Sequence, residues 1–165
     1  MATVDNKQKL EKKIGEAVGL EMAAQKAVDE LSSKGLLDVG EMKSKLERMR
    51  KEANNHQMQL EQLAQKLSES EGLDTSNIQD TAKETEEKAS EIMKTYLGEN
   101  PDSSEAIEFL CLAEGGEVVH YEVLSVMAKN IKNRQFSAKV KSILEEEQKH
   151  LKLCTRLAKQ TATSG

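Results

Sequence analysis

Apolar residues recur at intervals of three and four positions along most of this chain, a spacing typical of amphipathic α-helices. The segment 38–68 shows the pattern most clearly, with an apolar stripe of Met42, Leu46, Met49, Ala53, Leu60, Leu63 and Leu67. Such a strict alternation is the seam of a left-handed helical bundle. The periodicity predicts an all-α chain with helices over residues 6–32, 38–68, 78–97, 103–131 and 135–160.

Breaks between these helices indicate how they connect. Gly35 predicts the end of the first helix, and capping boxes are expected at the starts of the second and fourth, at Asp38–Glu41 and Asp102–Glu105. Two pairs of long helices are each joined by a few residues, which predicts two antiparallel hairpins. The connection between the hairpins has roughly 35 residues and carries the helix 78–97, and its polar residues 68–88 predict a loosely held crossover. Residues 1–165 are therefore expected to form one domain, a four-helix bundle with the long crossover of ferritin-like bundles.

Composition excludes several classes of function. Aromatic residues make up 2% of the 165 residues, which leaves no platform for stacking nucleic-acid bases. The net charge of −5 gives no general basic surface for nucleic acid or anionic lipid. No apolar run approaches the roughly 20 residues of a membrane span, and residues 1–13 hold no apolar signal core. Cys111 and Cys154 form no closely spaced pair, so we expect a cytoplasmic protein with buried thiols.

Polar residues interrupt the apolar stripes at one level of the predicted bundle. All 3 histidines of the chain fall on stripes whose register is set by apolar residues. They lie near the middle of their helices, so antiparallel hairpins bring them to the same height. Six side chains are expected to point inward in this layer: Glu21, His56, Glu117, His120, Glu147 and His150.

The buried carboxylates of this layer need a partner that offsets their charge, because each one costs several kcal/mol in an aliphatic core if it is left unpaired. Residues 117–120 and 147–150 both have the form E-x-x-H, which places Glu and His on one helix face, one turn apart. Imidazole and carboxylate together suit iron, manganese or zinc. The alternative is a metal-free polar network, with Glu–His hydrogen bonds and raised carboxylate pKa values.

These residues resemble the ligand pattern of the ferritin-like superfamily. That pattern has a lone Glu on the first bundle helix, E-x-x-H on the second, Glu on the third and E-x-x-H on the fourth. The matching positions in this chain are Glu21, His56, Glu117, Glu147 and His150.

The chain departs from the family pattern at two positions. Ala53 stands where the second-helix Glu that bridges two metals belongs, and His120 is an addition. The resemblance therefore implies either a single metal or a differently bridged pair. Glu52 and Glu114 are candidates to replace the missing carboxylate.

Within that superfamily, the C-terminal third is similar to the YciE/YciF-like stress-induced ferritin-like proteins. The similarity covers about 50 residues and rests on His120-Tyr121-Glu122, on Leu144-Glu145-Glu146-Glu147, and on Thr155 followed by Leu157-Ala158. It implies a small cytoplasmic helical bundle that forms a homodimer and takes part in a stress response.

The combined expectation is a metal-binding protein with a Glu/His transition-metal site in the bundle core. Iron is the first expectation, and manganese or zinc are the alternatives. If the protein is an enzyme, we expect a non-haem iron or manganese oxidoreductase that reacts with oxygen or peroxide. The alternative from a different class is a metal-free structural or partner-binding bundle with a buried polar layer.

Two glycines in the middle of a predicted helix need a separate explanation. Gly115 and Gly116 directly precede Glu117, and each costs about 1 kcal/mol relative to Ala. They predict close packing against a neighbouring helix, or a local bulge that aims Glu117.

Overall fold

Helices are the regular secondary structure of residues 4–163, the part of the chain that the computed structural model describes. The five helices are α1 (Val4–Ser33), α2 (Met42–Glu71), α3 (Thr75–Leu97), α4 (Ser103–Asn130) and α5 (Arg134–Thr163). The prediction of an all-α chain is confirmed. Within the same residues, none of the helices combines the length and apolar character that a membrane span requires.

The helix ends confirm two of the three predicted signals. Gly35 has a left-handed φ of 72° two residues after the end of α1, and Asp102 Oδ1 accepts a hydrogen bond of 2.8 Å from the backbone N–H of Glu105 at the start of α4. The capping box predicted at Asp38 is wrong. Gly40 also has a left-handed φ, of 54°, which a helix cannot contain, and α2 begins only after it.

The connection between α2 and α3 is shorter than the polar sequence suggested. α2 continues to Glu71 and ends at Gly72, which has a left-handed φ of 74°. α3 already begins at Thr75, where Asp74 Oδ1 accepts a hydrogen bond of 2.9 Å from the backbone N–H of Ser76. Residues 72–74 are therefore the only non-helical part of the predicted polar stretch.

Contacts between the long helices show two antiparallel hairpins, as predicted. Asp29 pairs with Arg50, and Gln25 donates to Gln57 at 2.8 Å, so α1 and α2 run in opposite directions. α4 and α5 pack together through most of their length, starting from the turn at residues 131–133. α1 also packs on α4, and α2 packs on α5.

The crossover helix α3 is tightly packed, so the expectation of a loosely held crossover is wrong. α3 runs parallel to α1, and the two backbones approach at Gly15 and Gly19. A Cβ atom at Gly15 would lie 2.7 Å from the carbonyl oxygen of Ile78, and one at Gly19 would lie 2.7 Å from Cβ of Thr85. Real Cβ atoms do not come this close to a neighbouring backbone, so only glycine permits this helix contact.

The apolar core of the bundle has two parts. One cluster joins the N-terminal half of α1 to the C-terminal half of α2, and includes Leu10, Ile14, Leu60, Leu67, Leu124, Phe136 and Val140. The other lies toward the opposite end and includes Val28, Leu31, Leu46, Met49, Ile107, Leu110, Cys154 and Leu157. Each of α1, α2, α4 and α5 places at least one buried Glu or His side chain between the two clusters.

Candidate metal centre

Six ionisable side chains form a buried layer between the two apolar clusters. Each is at most 5% exposed, and they come from α1, α2, α4 and α5: Glu21, His56, Glu114, Glu117, Glu147 and His150. The structure thus brings together five of the six residues predicted for this layer. The exception is His120, and Glu114 occupies the layer in addition.

His56, at the centre of α2, is surrounded by carboxylates. Its Nδ1 atom lies 3.1 Å from Oε2 of Glu21 and 2.8 Å from Oε1 of Glu147. Its Nε2 atom lies 2.7 Å from Oε2 of Glu146, a half-buried side chain on α5. Since both ring nitrogens face carboxylate oxygens, the metal-free ring is an imidazolium that donates through both N–H groups.

Glu147 connects His56 to the second histidine of the layer. While its Oε1 atom contacts His56, its Oε2 atom lies 3.6 Å from Nδ1 of His150. The two imidazole rings are stacked, with their centroids 5.7 Å apart. His150 also faces Glu114 on α4 at 3.8 Å, and Glu52 on α2 at 3.3 Å.

These contacts define two groups of three potential metal ligands. Glu21, His56 and Glu147 form one group, and Glu114, Glu147 and His150 form the other. Within each group the donor atoms lie within 4.8 Å of one another. Glu147 belongs to both groups, so its carboxylate is shared by two neighbouring sets of potential ligands.

His120 lies outside the layer, so its predicted place on the core stripe is wrong. Its side chain is 29% exposed, and Nε2 contacts Glu16 at 3.1 Å while Nδ1 contacts the carbonyl oxygen of Gly116 at 2.9 Å. The buried stripe of α4 is Ile107, Leu110, Glu114, Glu117, Tyr121, Leu124 and Ala128. The stripe predicted from the sequence shares every second position with this one and is displaced by one residue at the others: Leu110, Ala113, Glu117, His120, Leu124, Met127 and Ile131.

Glu114 is the layer residue that the primary prediction missed, although it was a candidate for the missing carboxylate. It takes the stripe position that was assigned to Ala113. Glu52, the other candidate, reaches His150 from the edge of the layer and is 32% exposed. Glu146, which was not among the predicted layer residues, also contacts His56. The signal for Glu114 was its spacing of three residues from Glu117, which puts both on one face.

Three of the buried carboxyls favour their protonated form when no ion is present. Burial raises the pKa of Glu21 well above its usual value, and the neighbouring charge of Glu147 raises it further. The pKa of Glu114 is raised by burial and by Glu147, and that of Glu117 by burial and by Glu114. The layer therefore holds more carboxyl groups than its two imidazoles can neutralise.

The pKa values of Glu147 and of the two histidines of the layer shift so that the charged forms are favoured. Burial alone would raise the pKa of Glu147, but contacts with His150 and His56 outweigh it and hold the pKa well below its usual value. Burial would lower the pKa of His56, yet Glu147 and Glu21 raise it to about 11. The pKa of His150 is raised by Glu147 and Glu52 despite burial.

Several oxygen atoms of the layer have no hydrogen-bond partner among residues 4–163. They are Oε1 of Glu21, Oε2 of Glu114, both carboxylate oxygens of Glu117, Oε2 of Glu147 and the hydroxyl of Tyr121. A buried polar atom without a partner costs about 1–3 kcal/mol. Carboxylate oxygens and imidazole nitrogens at these separations fit a divalent transition-metal ion, which would satisfy them directly.

Two surface clefts reach the layer from different sides. One, of about 420 Å³ between α2 and α5, is lined by Glu52, Glu146 and His150 together with the basic residues Lys45, Arg48, Lys149 and Arg156. The other, of about 370 Å³ between α1, α3 and α4, is largely apolar and includes Glu117 in its lining. Small solutes thus have a polar and an apolar approach to the buried side chains.

No protein-family model, curated protein or solved structure matches this chain. The similarity to ferritin-like and YciE/YciF-like proteins therefore stays a prediction. The features that bear on function are the contacts of the buried layer itself.

Proposed function

We propose that this protein is a ferritin-like metalloprotein whose buried Glu/His layer binds two transition-metal ions. The observation that carries the proposal is the position of Glu147, which contributes to both groups of three potential ligands. The remaining support is the surplus of buried carboxyls and the oxygen atoms without partners. Iron is the first expectation, and manganese or zinc are the alternatives.

Each residue of the layer has a distinct part in this proposal. Glu21 and His56 would hold one ion, Glu114 and His150 would hold the other, and Glu147 would contribute to both. In this role Glu147 would replace the second-helix Glu of the family pattern, whose position is Ala53 here. Glu117 faces the apolar cleft with both oxygens unpartnered, which suits a ligand that completes one coordination sphere.

The chemistry that a bound metal pair would supply is redox or Lewis-acid activation of a small oxygen species. The chain itself limits the contact of the layer with bulk water by means of the two apolar clusters, with the two clefts as the approaches, and keeps the ligands at fixed separations. These properties favour reaction of oxygen or peroxide in stress defence, by a protein that acts in the cytoplasm. An oxidoreductase and a non-turnover metal store share this site and differ only in reactivity.

A metal-free structural bundle is the second candidate. The observation that favours it is the completeness of the contacts at His56, whose two ring nitrogens already have carboxylate partners at 2.7–3.1 Å. In that case the layer would fix the register of the helices.

Elemental analysis after anaerobic loading with Fe(II), Mn(II) or Zn(II) and desalting tests the proposal. We expect about two ions per chain in the wild type, and a loss of both in Glu147→Gln. Glu145→Gln, an exposed neighbour on the same helix, is the matched control and should retain the ions. A folded wild-type protein that retains no metal would favour the structural candidate.

Oxygen consumption by the Fe(II)-loaded protein then separates turnover from storage. Catalytic consumption that Glu147→Gln abolishes supports an oxidoreductase. Retention of Fe(II) without oxygen consumption would restrict the function to metal binding.

A further inference from the structure

α4 carries a second apolar stripe on the face that points away from the bundle. Leu112, Val119, Val123 and Val126 are between 42% and 61% exposed. Together with Gly116 they follow spacings of 4, 3, 4 and 3 residues. At 3.6 residues per turn, this stripe lies on the side of the helix opposite the buried stripe that contains Glu117.

Two side chains of α3 extend this surface. Ile92 is 58% exposed and lines the same apolar cleft as Leu112. Tyr96 is 48% exposed, and its ring contacts that of Phe109 with centroids 5.6 Å apart. We call the set the outer α4 surface: Ile92, Tyr96, Leu112, Gly116, Val119, Val123 and Val126.

The outer α4 surface concentrates the exposed apolar area of the molecule. It holds six of the nine large hydrophobic side chains that are exposed in residues 4–163. Its area is on the order of several hundred Å², and contiguous apolar patches of that size mark interaction sites. A helix that is apolar on both faces is normally buried on both, whereas one chain buries only one face of α4.

The spacing on this face indicates the shape of the partner. Alternation of three and four residues over about 21 Å is the seam at which one helix packs against another. Gly115 and Gly116 interrupt α4 at this level, yet a Cβ atom at either position would meet nothing within 4 Å. Close packing within one chain therefore does not explain why the helix contains these two glycines despite their low helix propensity. Close approach of a second helix at Gly116 does explain it.

Charges at the two ends of α4 indicate the direction of that helix. Glu105 and Glu108 lie exposed near the N-terminal end, whereas Lys129 in the last turn and Lys132 in the turn that follows lie exposed at the C-terminal end. A copy of α4 that runs antiparallel would place the acidic end of one helix beside the basic end of the other. Antiparallel helix dipoles favour the same arrangement.

We propose that the outer α4 surface is the interface at which two copies of this chain associate, with their α4 helices antiparallel across a twofold axis. A twofold interface uses the same patch on both copies, as this self-complementary face allows. The interface contains none of the proposed metal ligands, so its test is independent of the test of the metal centre.

Sedimentation equilibrium of the full chain tests this interface. We expect a mass of two chains at micromolar concentration for the wild type. Val119→Glu is expected to raise the dissociation constant at least about tenfold. Met58→Glu, which alters an exposed apolar side chain on α2, is the matched control and should associate like the wild type.

Gly116→Leu gives a second, independent test that does not depend on adding a charge. The open space at this position means that the folded monomer should keep or increase its thermal stability, while the bulky side chain separates the two helices and weakens association. Circular dichroism of each variant reports whether the fold is retained.

Three results would overturn the interface. The first is a wild-type protein that stays monomeric at high micromolar concentration. This holds even if that monomer binds an apolar fluorescent dye at the outer α4 surface. A dimer that Val119→Glu and Met58→Glu affect equally is another. Unchanged association of Gly116→Leu would be the third, because it would show that the glycine is merely exposed.

Discussion

Oε1 of Glu147 lies 2.8 Å from Nδ1 of His56, and this contact links α5 to α2 at the middle of the bundle. The other oxygen of the same carboxylate faces His150 at 3.6 Å. Without a metal, Glu147 is thus the anion that offsets two buried imidazolium groups. In the proposed metal-bound form it would contribute to both groups of ligands, so one side chain would govern both states of the layer.

Replacing Glu147 by Gln should destabilise the metal-free protein. The change leaves two buried cations without their shared anion, and breaking a buried ion pair costs about 3–5 kcal/mol. We expect the free energy of unfolding in urea to fall by about that amount, while the exposed Glu145→Gln stays within about 0.5 kcal/mol of the wild type. The pKa of His56, about 11 in the wild type, should fall in the same variant. Equal stability of the two variants would contradict the ion-pair role.

Stability of the metal-free protein should decrease as pH rises from 5 to 10. The folded-state pKa values of Glu21, Glu114 and Glu117 are raised, so their contribution is present at acidic pH and is lost as they ionise. The pKa of His56 is also raised, from 6.5 to about 11, so its contribution is present below 6.5 and is lost as pH rises through 11. The lowered pKa of Glu147 keeps its contribution present throughout this window.

Thermal denaturation of chelator-treated protein at several pH values measures this trend. The stabilisation by added metal should grow over the same range, since ligands must be deprotonated to bind. A midpoint temperature of the metal-free protein that rises steadily to pH 9 would contradict the assignment of raised carboxyl pKa values.

The two E-x-x-H segments should differ in their contribution to metal binding. His150 is 5% exposed in the layer, whereas His120 contacts Glu16 near the surface. His150→Ala is expected to remove about one of two ions per chain or to weaken both by about 10–100-fold. His120→Ala should leave the metal content unchanged. Loss of metal in His120→Ala would mean that α4 adopts the register predicted from the sequence.

Two glycine substitutions should have opposite effects on stability. Gly19→Ala places a Cβ atom against the carbonyl oxygen of Ala82 and 2.7 Å from Cβ of Thr85, and is expected to cost about 1–3 kcal/mol by forcing α1 and α3 apart. Gly115→Ala meets nothing within 4 Å and should gain about 1 kcal/mol from helix propensity. Urea denaturation at low protein concentration measures both. A stabilising Gly19→Ala would contradict the close packing of α3.

The sequence predicted α2 well because its polar and apolar faces are distinct. Every stripe residue from Met42 to Leu67 is buried, and His56 lies among them. The same clarity in α5 placed Glu147 and His150 correctly. In both helices only one face is apolar, so only one register satisfies the pattern.

α4 is different, because apolar residues on both sides of its buried stripe allow two neighbouring registers. Leu110, Glu117 and Leu124 belong to either stripe, and only packing against α5 and α1 selects Glu114 and Tyr121 over Ala113 and His120. Such a broad apolar distribution gives periodicity no single solution, and the error fell on a proposed ligand.

The packing of α3 was hidden for another reason. Its contact with α1 relies on backbone approach at Gly15 and Gly19 and on the burial of small residues such as Ala82. Hydrophobic periodicity reports only on side chains. It therefore cannot reveal a helix contact that forms because glycine lacks one. The pair of glycines four residues apart in α1 was the available signal.

The separation of the apolar core into two clusters has a consequence for cooperativity. The ionisable layer between them contributes little hydrophobic coupling, so the two ends of the metal-free bundle are linked mainly by helix continuity and by the Glu147 ion pairs. Amide hydrogen exchange at the two ends should therefore report different opening free energies when metal is absent. Ions bound across α1, α2, α4 and α5 would merge the two ends into a single unfolding unit, so that the proposed metal centre would determine whether the domain unfolds as one unit or as two.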